Sequence, residues 1–139
     1  MSNLTRIGVA LDGDLLERFD ALIHERGYEN RSEAFRDLIR NELVEAAWKS
    51  PQSEVVGSVT LVYDHHVRML HSKLLELQHQ AHDAILSTLH VHLDHDNCLE
   101  VLLIKGPAAK VNRIANSLIS TKGVKHGRLT LSSIGKDLK

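Results

Sequence analysis

The sequence predicts an α+β protein of two domains, residues 1–50 and residues 51–139, on three observations. The first fifty residues carry the periods of one short strand and two helices. A short polar break, Lys49-Ser50-Pro51-Gln52-Ser53, holds one of only two prolines and marks the boundary. Beyond it, apolar periods of 2 and 3.6 residues alternate in the order βαββαβ. A chain of 139 residues, 42% hydrophobic and 25% charged, can bury a core. It lacks any run of the roughly 20 apolar residues that a membrane span needs, and its polar Met-Ser-Asn-Leu-Thr-Arg start lacks an apolar signal segment. A single cysteine excludes an intramolecular disulfide and suits a reducing compartment. A cytoplasmic protein without a membrane partner is therefore expected. The net charge of −1 neither suggests nor excludes nucleic acid. Ten histidines stand out, because histidine titrates near neutrality and is the commonest metal ligand.

Ile7, Val9 and Leu11 alternate with Arg6, Gly8 and Ala10, as in a half-buried strand. Asp12 can cap the helix that follows, with Leu15, Leu16, Phe19, Leu22 and Ile23 on one face. Gly27 ends it through a left-handed residue. Asn30 and Glu33 then form a capping-box pattern, and the next helix lines up Phe35, Leu38, Ile39 and Leu43. One strand and two helices cannot bury that surface alone, and an isolated strand is an open edge, so this segment calls for a dimer. In the second domain a strand covers about Val55–Tyr63, and a helix from about His65 to His79 buries Val67, Leu70, Leu74 and Leu77. Strands at Ile85–Leu93 and Cys98–Lys105 flank the turn Asp94-His95-Asp96-Asn97. Gly106-Pro107 opens a helix with Val111, Ile114, Leu118 and Ile119, which Gly123 stops. Val124–Ser133 is the last strand. This order is the ferredoxin-like arrangement, two helices on one face of an antiparallel sheet.

The informative run is Thr88–Cys98. Residues two apart in a strand share a face, so His90 and His92 project together, about 7 Å apart, with Leu89, Val91 and Leu93 expected to turn into the core. A three-residue loop at Asp94–Asp96 puts His92 opposite Cys98, and two imidazoles and a thiol then converge. Those are the donors late first-row metals prefer. A fourth position is left for another residue, and His79 or His82, three apart at a helix end, could fill it within one subunit or across an interface. His24, His65, His66, His71 and His126 read as surface residues. Glu33 and Asp37 lie four apart on one helical face, where a hard cation would relieve their repulsion. Residues 1–50 hold seven Lys/Arg against ten Asp/Glu, a net of −3. Placement favours DNA more than this total does. Arg6 projects outward from the strand, and Asn30, Arg31 and Ser32 lie at a helix N-terminus that suits phosphate. A two-stranded ribbon, built from this strand and its symmetry mate, fits the major groove.

Arg6–Leu11, Asp14-Leu15-Leu16, Arg26-Gly27-Tyr28 and Asn30-Arg31-Ser32-Glu33-Ala34 together resemble a ribbon-helix-helix (βαα, dimeric) transcription factor. Joined to Thr88–His92 and Cys98-Leu99-Glu100, they are similar to the nickel-responsive regulator family, NikR, over about residues 5–131. The specific part is His-Val-His, five residues, then Cys, with Gln78-His79 upstream; antitoxins share the N-terminal pattern. The resemblance implies a homotetramer, two ribbon-helix-helix dimers flanking four ferredoxin-like (ACT-type) domains. It implies one Ni(II) per subunit, held by His90, His92 and Cys98 of one subunit and His79 of another, with Glu100 orienting the imidazoles. It also implies a second, hard cation such as K+ near Glu33 and Asp37, and repression of nickel-uptake genes by nickel-favoured operator binding. One departure concerns Arg6, Gly8 and Ala10, the outward strand positions, where relatives carry Arg and two hydroxyl residues. Only Arg6 can read a guanine edge, which shifts weight to phosphate contacts and DNA shape. Two other readings remain at this point. One is a metal-independent antitoxin-type DNA binder. The other is a hydrolase using a His/Cys-bound metal with Glu100 or Asp94 as base, although no phosphate loop or nucleophile motif accompanies it.

Overall fold

The structure, a computed structural model, describes residues 3–139. The chain divides into two compact units, one of residues up to Leu43 with Gly135–Lys139, the other of Val44–Ile134. In the first unit, helix α1 (Gly13–Glu25) starts where Asp12 Oδ1 accepts from the N–H groups of Asp14 and Leu15, as an N-cap does. It ends in a Schellman motif. Gly27 takes φ +86°, its N–H bonds to His24 O, and the Tyr28 N–H bonds to Ile23 O at 2.9 Å. Asn30 Oδ1 then accepts from Glu33 N and opens α2 (Arg31–Lys49). Phe19 and Phe35 stack at 5.1 Å between the helices, and Ile23 and Ala34 are buried.

The strand expected at Ile7–Leu11 is not formed in this chain. The segment leaves Ile7 and Val9 78% and 59% exposed. A strand exists only when its N–H and C=O groups meet a neighbour, and nothing in the described residues supplies one here. Leu15, Leu22, Leu38, Ile39 and Leu43 are exposed as well, so part of the apolar surface of both helices is left uncovered by the described residues.

The second unit follows the expected order: β1 (Glu54–Asp64), α3 (Leu70–Gln80), β2 (Ile85–His92), β3 (Asn97–Pro107), α4 (Ala108–Ile119) and β4 (Val124–Ser132). The strands form one antiparallel sheet in the order β2-β3-β1-β4, which is the ferredoxin-like topology. β1 alternates strictly, with Val55, Gly57, Val59, Leu61 and Tyr63 buried. Their partners across β3 are Gly106, Ile104, Leu102, Glu100 and Cys98. Leu70 and Leu74 of α3 and Val111, Ala115 and Leu118 of α4 complete this core with Trp48. Among the described residues no helix is long and apolar enough to cross a membrane.

Two expectations change. The third helix begins at Leu70, not His65. Asp64 Oδ1 accepts from the His66 N–H and the His65 N–H bonds to Asp96 O, so residues 65–69 stay in turns, ending at Met69 with φ +68°. Leu89, Val91 and Leu93 do not enter the core; all three are exposed. The register decides this, because His90 pairs with Glu100 and His92 with Cys98, whose side chains lie on the helix-covered face. The histidines take that face, and the leucines and Val91 take the open one.

Gly127 in β4 packs under α4. A Cβ there would lie 2.9 Å from Ile119 Cγ1 and 3.1 Å from Leu61 Cδ2. Ile119 is stiff about its β-branch, so Gly127→Ala is expected to destabilise the protein by about 1–3 kcal/mol, as read from chemical denaturation.

Candidate metal centre

The centre is built on the β2–β3 hairpin. Asp94 holds its turn by accepting from the N–H groups of Asp96 and Asn97 and from the Asn97 side chain. Those Asn97 bonds, ahead of the one from Asp96 and the nearby Lys125 charge, hold the Asp94 carboxyl down to about 2. The Leu93 N–H bonds to Asn97 O at 2.8 Å and closes the loop, so His92 faces Cys98 as the loop length predicts.

Cys98 Sγ lies 3.6 Å from His92 Nδ1 and 3.1 Å from His65 Nδ1. The donor atoms of His65, His92 and Cys98 all lie within 4.8 Å of one another. Cys98 is fully buried. Burial pushes its thiol up, and the charges of Asp64, Glu100 and Asp94 add to the shift. A thiol kept protonated by desolvation and by anions gains most from a nearby cation, which would deprotonate it. The imidazole–thiol donor set therefore fits a late transition metal.

Glu100, 4% exposed, ties three elements together. It accepts from Tyr63 Oη and from Gln78 Nε2, both at 2.7 Å. Burial and this bond raise the Tyr63 phenol far above its ordinary range. Gln78 thereby fixes the last turn of α3, where the next residue is His79. His79 itself is exposed and neighbours His82, whose Nδ1 lies 3.1 Å from His79 O. Neither joins a three-donor cluster among the described residues. His90 also stays outside, its ring 5.5 Å from His92 and 6.0 Å from both Tyr63 and His71.

His65 is the residue that sequence reasoning set aside. Placed in a helix it would have pointed elsewhere; placed in the turn it reaches the thiol. The signal was Asp64, whose short carboxylate favours a local turn over helix continuation. His66 turns outward, its Nε2 3.6 Å from Asp96 Oδ1 and 3.2 Å from His95 O.

At the other candidate positions, Asp37 accepts from Tyr28 Oη at 2.6 Å and from Arg40 at 3.4 Å, while Glu33 is exposed. Arg31 makes a bidentate pair with Asp20 at 2.8 and 2.7 Å. Asn30 caps α2 and Ser32 is exposed in its first turn; Arg6, Gly8 and Ala10 are exposed in the unpaired segment.

A capped two-helix unit and a ferredoxin-like unit with an imidazole–thiol cluster define a two-part protein with a candidate site for a late transition metal. The family model described as the NikR C-terminal nickel-binding domain matches residues 56–132, and that for ribbon-helix-helix proteins of the copG family matches residues 5–46. A nickel-responsive regulator of Solibacter usitatus is 68% identical over the whole of both chains. Those of Nitratidesulfovibrio vulgaris and Geobacter sulfurreducens are 56% and 57% identical over 99% of each chain. An uncharacterized protein of Thermotoga maritima is a distant structural likeness, at TM-score 0.48 and 15% identity over 58% of this chain and 98% of that one. The chain belongs to the NikR family of nickel-responsive regulators, which are not enzymes. With a ribbon-helix-helix domain it falls in a class that binds DNA and oligomerises.

Tyr63→Phe removes one of the two donors that hold the buried Glu100 carboxylate. It is expected to cost about 1–3 kcal/mol in denaturant unfolding, while Glu100→Gln in the Tyr63→Phe background recovers part of that loss.

Proposed function

We propose that this protein is a nickel-responsive transcriptional repressor of nickel-uptake genes, working in the cytoplasm as a homotetramer, a dimer of dimers. The observation that carries the reading is the buried Cys98 thiol beside His92 at a hairpin end. We assign one nickel ion per subunit to His90, His92 and Cys98 of one subunit with His79 of another. When bound, Ni(II) would supply a d8 Lewis-acid centre, for which three imidazoles and a thiolate are suited donors.

This chain's residues do the rest. Glu100 steadies the face that His90 shares, and through Gln78 it steadies the helix end that presents His79. Donors from two subunits that meet at one point restrict how the subunits can be arranged. The free energy available for operator binding is the difference in ligand affinity between the two arrangements. On the DNA side, the apolar Ile7 and Val9 and the uncovered faces of α1 and α2 suit a second copy, with the two segments pairing as a ribbon in the major groove. Arg6 would read a guanine edge. Gly8 and Ala10 leave the groove floor open, and Asn30, Arg31 and Ser32 present phosphate-binding groups at the α2 N-terminus. Arg31 must leave Asp20 to do so. The reading extends to a hard cation such as K+ at Glu33 and Asp37, one turn apart on α2, where like charges attract a counter-ion.

A second ligand set is favoured by one observation, the 3.1 Å approach of His65 to Cys98: His65, His92 and Cys98 within one chain. Nickel titration of apoprotein, followed by binding to a duplex that the nickel-loaded parent selects from random sequence, separates the possibilities. The parent is expected to gain at least about tenfold in DNA affinity on nickel addition. Cys98→Ala and His79→Ala are expected to lose that gain, with His65→Ala keeping it. Equal gain in Cys98→Ala contradicts the assignment.

A further inference from the structure

Within the second unit, the turn after β1 and the loop between β2 and β3 are fastened to each other through the backbone. The His65 N–H bonds to Asp96 O at 3.1 Å. Each segment is also shaped by its own aspartate. Asp64 Oδ1 accepts from the His66 N–H at 2.8 Å, and Asp94 Oδ1 accepts from the N–H groups of Asp96 and Asn97. These bonds leave the side chains of His66, His95 and Asp96 out of the work of holding the turns.

Those three side chains meet on the outside. All are exposed, yet their donor atoms lie within 4.8 Å of one another. His66 Nε2 stands 3.6 Å from Asp96 Oδ1, and the rings of His66 and His95 are 5.4 Å apart. A gap of 3.6 Å is too long for a hydrogen bond. It is close to the spacing of neighbouring ligands on a small divalent ion, since donors bound at about 2.0–2.2 Å sit about 3–3.5 Å from each other. An ion pair between His66 and Asp96 alone, both more than half exposed, would contribute little. Nε2 also lies 3.2 Å from His95 O, a contact that an ion would replace, with the ring proton carried on Nδ1. Two imidazoles and a carboxylate suit zinc, nickel or copper(II) better than magnesium or calcium, which prefer oxygen donors.

We infer that His66, His95 and Asp96 form a second metal site, open and on the surface, for a late first-row divalent ion with water in its remaining positions. It shares no donor with the set His79, His90, His92 and Cys98, so it stands or falls apart from the nickel assignment above. Adjacent residues serve the two sites differently: His65 turns inward to Cys98 at 3.1 Å, while His66 turns outward. Because the two segments are already joined at His65 and Asp96, little ordering remains when an ion arrives. With three exposed donors and no thiolate, this is the weaker of the two sites.

The test adds nickel(II) to the full-length apoprotein in a calorimeter, with His66→Ala, His95→Ala and Asp96→Asn measured beside the parent. His66→Ala keeps the N–H that Asp64 holds, and Asp96→Asn keeps the carbonyl that His65 needs, so each removes a donor and leaves the turns. The parent is expected to show a tight event and a weaker one, each of one ion per chain. His66→Ala and His95→Ala are expected to weaken the second event at least about tenfold, since even an outer partner of a ligand can cost that much. Asp96→Asn weakens it too, and all three leave the tight event unchanged. His126→Ala, which removes an exposed histidine outside the cluster, is expected to keep both events. Excess magnesium(II) is expected to leave the weaker event in place. Uptake that neither His66→Ala nor His95→Ala weakens overturns the site. Loss of the tight event alone, as expected of Cys98→Ala, bears only on the nickel assignment and leaves the second site standing.

Discussion

The cross-strand pairing of His92 with Cys98 is the constraint on which the rest depends. A β-strand has only two faces, and the closing turn sets which residues share one. Here Asp94 fixes the turn by accepting three hydrogen bonds from Asn97, through its backbone and side-chain nitrogens, and one from Asp96. The thiol is thereby delivered to the helix-covered face, with an imidazole beside it at the sheet edge. Had the loop been one residue longer or shorter, His90 and His92 would share a face with Leu99 and Val101 and the buried thiol would have no nitrogen donor from β2.

The same face explains why the centre carries a buried carboxylate. Glu100 sits two pairs further along, opposite His90 and Leu61, and burying it unpaired would be costly. Tyr63 and Gln78 each donate to one of its oxygens. The result is a network that runs from β1 through β3 to the end of α3, where His79 follows Gln78. His79 is exposed and free of the cluster in its own chain, which suits a donor to a neighbouring subunit. His65 offers the competing donor from within.

Much of this was legible in the sequence. The loop length gave the His92–Cys98 register, the caps at Asp12 and Asn30 gave the two N-terminal helices, and Gly27 gave the left-handed end of the first. The parts that were not legible have physical causes. The first strand is not formed, because among the described residues nothing meets its N–H and C=O groups, and a local period of two residues does not say where a partner comes from. The direction in which Leu89 and Val91 point depends on whether an edge strand's apolar residues meet the helices or a further surface, and alternation alone does not choose. The position of His65 turned on five residues whose apolar spacing continues the helix pattern, but whose Asp64 carboxylate holds them in turns. The seating of Trp48 on Gly57 joins residues from separate elements, for which no local pattern exists.

Nickel-edge X-ray absorption on the nickel-loaded protein reads the donor set itself, with the His79→Ala and His65→Ala proteins measured beside it. One sulfur and three imidazole donors are expected in the parent, with one imidazole missing in His79→Ala and none missing in His65→Ala. A nickel ion without a sulfur neighbour, or an imidazole lost from His65→Ala while His79→Ala matches the parent, would contradict the assignment.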